Sequence, residues 1–153
     1  MSSPRSEKIR VLFICVHNSG RSQMAQAFLN HMAGDRFQSE SAGFRPTQIS
    51  PLVVEAMEEI GLDLSKNETR SVFKLYQDGN LYDYVITVCE ESTENKCPLF
   101  PGVTRRLNWP FDNPETFEGS HGEKLTQVKR VRDEIKSRLA SWLTEMNYGN
   151  YGN

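Results

Sequence analysis

The sequence predicts a single α/β domain in which a four-stranded parallel sheet carries helices on both faces. Two observations carry this prediction. Apolar segments of strand length alternate with segments of helical periodicity, and the first strand passes through a short polar turn directly into a helix. The 153 residues suffice for one domain with its own hydrophobic core. We predict this domain over residues 1–146, with residues 1–7 flexible and the glycine-rich residues 147–153 a disordered tail.

The first elements each rest on a local pattern and on the residues that end it. The apolar run Ile9–Cys15 is typical of a strand buried on both faces. Apolar residues at helical spacing follow over residues 24–32, and Gly34 is placed to end this helix. A short second strand is predicted over residues 38–41, and Gly43 ends it.

The next helix has a strong start signal. Ser50 is a preferred N-cap residue and Pro51 suits the first helical position. Gly61 ends the apolar stripe that follows. A shorter helix over residues 70–76 is predicted to end at Asp78-Gly79.

The second half of the chain ends in a long helix. We predict a buried strand over residues 84–88, which ends directly at Cys89, and a fourth strand over residues 103–107. Residues 109–122 are rich in Pro, Gly and Asn and are predicted to be a loop. Apolar side chains at spacings of three and four then predict a helix over residues 125–142.

Composition and charge exclude several classes of function. The 18 basic and 20 acidic residues nearly cancel, which argues against nucleic acid or an anionic membrane as a partner. No apolar run is long enough for a membrane span, and the polar N-terminus lacks the features of a signal peptide, so we expect a cytoplasmic protein, and a monomer. Three cysteines in a reducing compartment leave catalysis, metal binding and inert burial open.

The strongest functional signal is a loop between the first strand and the first helix. Cys15 ends the strand, where ligands of open α/β sheets bind, and Arg21 lies six positions later at the helix start. A loop of small residues there can aim its N–H groups inward as an anion cradle, aided by the positive end of the helix and by the Arg21 fork. The same field favours the thiolate of Cys15, the attacking species in nucleophilic catalysis. The predicted oxyanion-binding residues are Val16, His17, Asn18, Ser19, Gly20, Arg21 and Ser22.

Plainer interpretations remain for some of these residues. A cysteine at a strand end is often only part of the core, and a histidine in a loop such as His17 is often a tolerated surface residue. For Cys89 and Cys97, inert packing and a metal site are the alternatives to redox chemistry. Zinc is disfavoured because the chain has no Cys-x-x-Cys pair and only three histidines, and we predict no metal site.

The loop resembles the signature of the low-molecular-weight protein tyrosine phosphatases and of the arsenate reductases that share their fold. The resemblance covers about residues 9–142. It is carried by Arg21-Ser22-Gln23-Met24-Ala25, Ser41-Ala42-Gly43, Thr87-Val88-Cys89, Cys97-Pro98, Trp109-Pro110-Phe111-Asp112-Asn113-Pro114 and Val131-Arg132-Asp133-Glu134-Ile135-Lys136.

The resemblance implies a reductase with a relay of three cysteines. Cys15 would attack arsenate, Cys89 would attack the sulfur of Cys15 and release arsenite, and Cys97 would then move the disulfide to Cys89–Cys97 by thiol–disulfide exchange. The usual strand order of such sheets places the first strand beside the third, so Cys15 and Cys89 should lie at the same edge of the sheet. The implied reductant is thioredoxin, and no bound cofactor is expected.

The chain departs from the family's pattern at the expected proton donor. Members usually carry Asp immediately before the proline of the late loop, where this chain has Asn113, and an amide cannot deliver a proton at neutral pH. Either Asp112 serves as the acid or the acid role is weakened. The alternative for Asp112-Asn113-Pro114 is that these residues only form a turn.

A second departure concerns a cation. Some of these reductases bind potassium beside the anion loop through Asn, Ser and two acidic side chains. Asn18 and Ser41 match, but Gln26 stands where an acid is expected, so we predict no bound ion.

Two other functions stay open at this point. A phosphatase acting on phosphotyrosine is the alternative enzyme, although the segment after Pro114 lacks the tyrosine pair that usually frames an aromatic substrate. The alternative that is not an enzyme is a redox-regulatory or anion-sensing module.

Overall fold

A computed structural model describes residues 8–89, 100–103 and 105–146. Its four strands form one parallel sheet in the order β2-β1-β3-β4. The strands are β1 (Ile9–Cys15), β2 (Phe37–Gly43), β3 (Tyr84–Cys89) and β4 (Arg105–Phe111). The α-helices are α1 (Arg21–Ala33), α2 (Pro51–Glu58), α3 (Val72–Gln77) and α4 (His121–Glu145), and a 3-10 helix spans Pro114–Thr116.

Helices cover both faces of the sheet, which confirms the predicted fold class. Side chains alternate along β1, so Val11 and Phe13 belong to one core cluster and Leu12 and Ile14 to another. The first cluster lies under α1, α2 and α4, which contribute Met24, Val53 and Ile135 to it. The second cluster lies under α3. Burial on both faces explains why β1 reads as an uninterrupted apolar run.

Serine caps set the starts of three helices. The Ser50 side chain accepts from the N–H of Val53, and Ser71 does the same for α3. Ser120 and Glu123 form a capping box at the start of α4, in which each side chain accepts from the backbone N–H of the other residue. The long helix therefore begins at His121, four residues before the predicted start.

The predicted loop over residues 109–122 is wrong in its first part. Trp109 to Phe111 belong to β4, which starts two residues later than predicted and continues to Phe111. Proline is tolerated here because β4 is an edge strand and its register against β3 slips between Thr87 and Cys89. The slip leaves Pro110 outside the regular ladder of hydrogen bonds.

Several predictions fall outside the described residues. These are the predicted flexibility of residues 1–7, the predicted disorder of residues 147–153 and the predicted role of Cys97. Within the described ranges, none of the helices combines the length and the apolar character that crossing a membrane would require.

Candidate active site

The predicted anion loop lies at the carboxyl end of β1, between that strand and α1. Cys15 is the last residue of β1, and its side chain is only 2% exposed. Arg21 is the first residue of α1 and is 4% exposed. The structure therefore brings the predicted nucleophile and the predicted anion ligand to the two ends of one five-residue loop.

All carbonyl groups from Cys15 to Ser19 are engaged on the outside of the loop. The segment that follows β2 runs alongside, and its N–H groups donate to four of these carbonyls. The pairs are Phe44 to Cys15 (3.3 Å), Arg45 to Val16 (2.8 Å), Thr47 to His17 (3.1 Å) and Ser50 to Ser19 (2.9 Å). The carbonyl of Asn18 accepts from Gln23 Nε2 at 3.1 Å. Because each peptide unit turns its carbonyl outward, its N–H faces the other way, as an anion cradle requires.

Asn18 makes the turn of the loop possible. Its φ of 55° lies in the left-handed region, which Asn tolerates better than most residues. Its N–H donates to Cys15 Sγ at 3.2 Å, and its side chain is fully buried. The backbone amide at the centre of the loop is thus already aimed at the reacting sulfur.

A chain of hydrogen bonds fixes the direction of the Ser22 hydroxyl. Asn18 Nδ2 donates to Ser22 Oγ at 2.7 Å, and Ser22 Oγ lies 2.9 Å from Cys15 Sγ. Since the hydroxyl oxygen already accepts from Asn18, its own proton is free to point at the sulfur. A donor in this place stabilises a thiolate more than a thiol.

We expect Ser22→Ala to slow alkylation of Cys15 by iodoacetamide by about 10-fold or more at neutral pH. A hydrogen bond to a charged group contributes about 1.5–3 kcal/mol, and the thiolate would lose it. Ser137→Ala, at an exposed position of α4, is the matched control and should leave the rate unchanged. Equal alkylation rates in the wild type and Ser22→Ala would contradict this role.

Gly43 lets the end of β2 approach the loop. A Cβ atom built there would lie 2.7 Å from Asn18 N and from Val16 O, and 2.9 Å from His17 C. These neighbours are backbone atoms of the anion loop, so they cannot move without changing the cradle.

Gly43→Ala should therefore lower the free energy of unfolding by about 1–3 kcal/mol and weaken phosphate binding. Denaturant unfolding and calorimetric titration with phosphate measure the two effects. Gly122→Ala is the matched control, because its Cβ would meet nothing within 4 Å, and it should be neutral or slightly stabilising. Wild-type phosphate affinity in Gly43→Ala would show that the loop tolerates the methyl group.

Arg21 ties the anion loop to the end of β4. Its Nη1 donates to the carbonyl of Phe111 at 3.1 Å, and the guanidinium is buried. A buried guanidinium held by a fixed acceptor presents its fork in one orientation, which favours bidentate recognition of a tetrahedral anion.

The strand adjacency expected for the relay is present. β1 and β3 are parallel neighbours, with Ile14 opposite Thr87. Cys15 directly follows Ile14, and Cys89 lies two residues beyond Thr87; both are buried and belong to the same core cluster. No disulfide joins the two residues. Cys97 lies outside the described residues, so its predicted part in the relay stays a prediction.

Asp112 is turned toward α4. Its Oδ2 accepts from Arg130 Nη2 at 3.0 Å, and its side chain is half exposed. Side-chain hydrogen bonds with Asp112 and with Glu134 raise the pKa of Arg130, which keeps this partner charged. To act as the acid, Asp112 would have to leave Arg130, and its assignment stays a prediction. Asn113 makes turn contacts: its Oδ1 accepts from the N–H of Glu115 at 3.0 Å and caps the 3-10 helix.

The carboxylate that contacts the rim of the anion loop is Glu115, which sequence reasoning missed. Its Oε2 accepts from Ser19 Oγ at 2.5 Å, and its Oε1 lies 3.0 Å from His17 Nδ1. No motif marks Glu115, because the contact depends on where the 3-10 helix places a residue 96 positions away from Ser19. The only available signal was an acidic residue close after Asn113-Pro114.

The residues beside the loop do not fit a bound potassium ion. Asn18 Oδ1 already accepts from Arg70 N and from Gln23 Nε2. Ser41 Oγ donates to Gln26 Oε1 at 2.6 Å. Two donors therefore occupy the Asn18 oxygen that a cation would need as a ligand, and Gln26 offers an uncharged amide in place of a carboxylate. Across the described part of the chain, no group of three or more His, Cys, Asp or Glu side chains is arranged to hold a metal ion.

Fold and loop together define a class: a doubly wound α/β protein whose buried cysteine sits in a backbone cradle for a tetrahedral oxyanion. Residues 10–150 match the model of the family described as low molecular weight phosphotyrosine protein phosphatase. The chain belongs to this family.

Its similar proteins include arsenate reductases. An arsenate reductase of Shouchella clausii (strain KSM-K16) is 39% identical over 134 residues, which cover 88% of this chain and 94% of that protein. The structure of an arsenate reductase in the oxidized state superposes with a TM-score of 0.74 at 25% identity, over 89% of this chain and 97% of the other. The thioredoxin-dependent arsenate reductase of Corynebacterium glutamicum gives 0.58 at 34% identity, over 89% of this chain and 64% of the other.

Proposed function

We propose that this protein reduces arsenate to arsenite with Cys15 as the nucleophile. The observation that carries the proposal is the loop at the end of β1, which turns its carbonyls outward and places the Asn18 N–H and the Ser22 hydroxyl against a buried thiol. Arsenate is a tetrahedral dianion that suits such a cradle. The family relationship and the arsenate reductases among its relatives support the choice of arsenate.

In the first step the Cys15 thiolate attacks arsenic(V) in a bound hydrogen arsenate dianion. A sulfur–arsenic bond forms as one arsenic–oxygen bond breaks, and the departing oxygen leaves as water after it takes up a proton. Arsenic keeps its oxidation state. Arg21 and the loop N–H groups hold the remaining three oxygens, where charge persists through the transition state.

In the second step the Cys89 thiolate attacks Sγ of Cys15. A disulfide forms, and the electron pair of the sulfur–arsenic bond passes to arsenic, which leaves as arsenite. Two thiols are oxidised while arsenic(V) becomes arsenic(III). The support for this step is the adjacency of β1 and β3, which end in these two cysteines.

In the third step the Cys97 thiolate attacks Sγ of Cys89, and Cys15 leaves as a thiolate ready for another turnover. The dithiol of thioredoxin then reduces the Cys89–Cys97 disulfide. The thioredoxin dependence of the Corynebacterium glutamicum relative supports this choice of reductant. Such a cycle needs three reduced cysteines at its start, a condition that the cytosol meets, and we place the enzyme there as a monomer built from the domain over residues 1–146.

A coupled assay tests the proposal. The purified chain, thioredoxin, thioredoxin reductase and NADPH should oxidise NADPH when arsenate is added, with one arsenite formed per NADPH. Phosphate in place of arsenate is the matched control and should give no NADPH oxidation. Hydrolysis of an aryl phosphate without arsenate turnover would favour a phosphatase, and anion binding without either activity would favour a sensing module.

A further inference from the structure

Glu115 reaches across the mouth of the anion loop and contacts both residues that flank Asn18. Ser19 Oγ donates to Glu115 Oε2 at 2.5 Å, while His17 Nδ1 lies 3.0 Å from Oε1 and 3.1 Å from Oε2. Between these two contacts, the Asn18 N–H points inward to Cys15 Sγ at 3.2 Å. The carboxyl group thus lies beside the two loop residues that flank the amide aimed at the sulfur.

The position of this carboxylate is unfavourable for anion binding unless it carries or shares a proton. Two like charges a few ångströms apart repel by about 1 kcal/mol in bulk water and by about 4 kcal/mol at the lower effective dielectric constant near a protein surface. A dianion in the cradle therefore favours the state in which the His17–Glu115 pair holds a proton. The partly exposed His17 ring lies within hydrogen-bond distance of the Glu115 carboxyl group and contacts solvent, so it offers a path for that proton.

The chemistry of the first step demands a proton at this place. In an in-line displacement, the oxygen that leaves arsenic departs on the side opposite the attacking sulfur. Asn113, on the same late loop, carries an amide that cannot release a proton, and its oxygen is engaged with the N–H of Glu115. Asp112 faces Arg130 on α4.

We propose that Glu115 is the proton donor to the departing oxygen and that His17 positions its carboxyl group and restores its proton. This inference rests on the proposed arsenate reduction. The arsenic–oxygen bond breaks, its electron pair stays on oxygen, and the proton passes from the Glu115 carboxyl to that oxygen, which leaves as water. The Glu115 carboxylate then recovers a proton through His17 from solvent.

The experiment measures single-turnover arsenite formation at saturating arsenate with Glu115→Gln. Glutamine keeps the size of the side chain and its contacts with Ser19 and His17, but it cannot release a proton. The rate should fall by about 10²-fold, within the range typical of general-acid catalysis. Glu118→Gln, three residues further along the chain and exposed, is the matched control and should react at the wild-type rate.

Two further readouts separate catalysis from a merely structural role. Phosphate affinity of Glu115→Gln, measured by calorimetry, should equal or exceed that of the wild type because a negative charge at the rim is removed. Alkylation of Cys15 by iodoacetamide should keep its wild-type rate because the loop is intact. His17→Asn should lower the turnover rate less than Glu115→Gln does.

Other results would overturn the inference. If Glu115→Gln binds phosphate more weakly and its Cys15 is alkylated at a different rate, Glu115 stabilises the structure of the loop and is not the proton donor. A larger loss of rate in Asp112→Asn than in Glu115→Gln would assign the proton to Asp112. If the wild type turns over arsenate and Glu115→Gln does so at the same rate, only this inference is overturned. If the wild type itself does not turn over arsenate, the proposed function is overturned as well.

Discussion

Cys15→Ser should reduce arsenate turnover to the rate of the reaction without enzyme, while the protein stays folded and still binds phosphate. A serine hydroxyl is not ionised at neutral pH, so the attacking species disappears. The substitution itself is small: Ser22 Oγ and the Asn18 N–H, which now contact the sulfur, can hydrogen-bond to the new hydroxyl oxygen. The buried position therefore keeps its partners.

The measurement combines the coupled arsenate assay, circular dichroism and calorimetric titration with phosphate. Cys89→Ser is the matched control, since it removes another buried strand-end thiol of the same core cluster. It should lose turnover too, but unlike Cys15→Ser it should still form an arsenic adduct on Cys15, visible by mass spectrometry. Substantial turnover by a folded Cys15→Ser protein would contradict the assignment of the nucleophile.

Cys97→Ser should stop the cycle with a disulfide between Cys15 and Cys89. The first two steps need only these two thiols, so one arsenite should form per molecule, and turnover with thioredoxin should then be slow. The wild type, treated with arsenate but no reductant, should instead end with a Cys89–Cys97 disulfide and a free Cys15. The different trapped bonds follow from the order of the two exchange steps.

Peptide mapping after a single turnover distinguishes these species. Bridge formation requires Cα atoms about 4.4–6.8 Å apart, a spacing that neighbouring parallel strands approach and small movements at the end of β3 can supply. Cys89 suits such a movement because the β3–β4 register already slips next to it. If neither protein yields a disulfide that contains Cys89, the relay is wrong and the phosphatase interpretation is favoured.

Local chemistry explains which parts of the fold were predictable from the sequence. The run Ile9–Cys15 is apolar because both faces of β1 are covered, and Ser50-Pro51 starts α2 through a cap that needs no distant partner. The beginning of α4 was also readable, because Ser120 and Glu123 form a capping box within one turn. The predicted start lies four residues too late because it rests on apolar spacing alone.

The parts that escaped prediction depend on tertiary position. Pro110 lies in a strand only because β4 is at the sheet edge with a register slip, and neither fact is visible in the local sequence. Glu115 contacts the anion loop because Arg21 holds the carbonyl of Phe111 and the short 3-10 helix then turns back toward Ser19. The loop itself was predictable because its residues are contiguous from Cys15 to Ser22.

The outward hydrogen bonds of the anion loop have a consequence for how this sequence can diverge. The donors at Phe44, Arg45, Thr47 and Ser50 are main-chain N–H groups. Every amino acid except proline supplies the same group, so the contacts that shape the cradle place no demand on side-chain identity at these four positions. Two chains could differ at all of them and keep the same loop, whereas a single proline would remove a bond. A comparison of residue types therefore detects only part of what specifies this site, because these contacts depend on the path of the backbone.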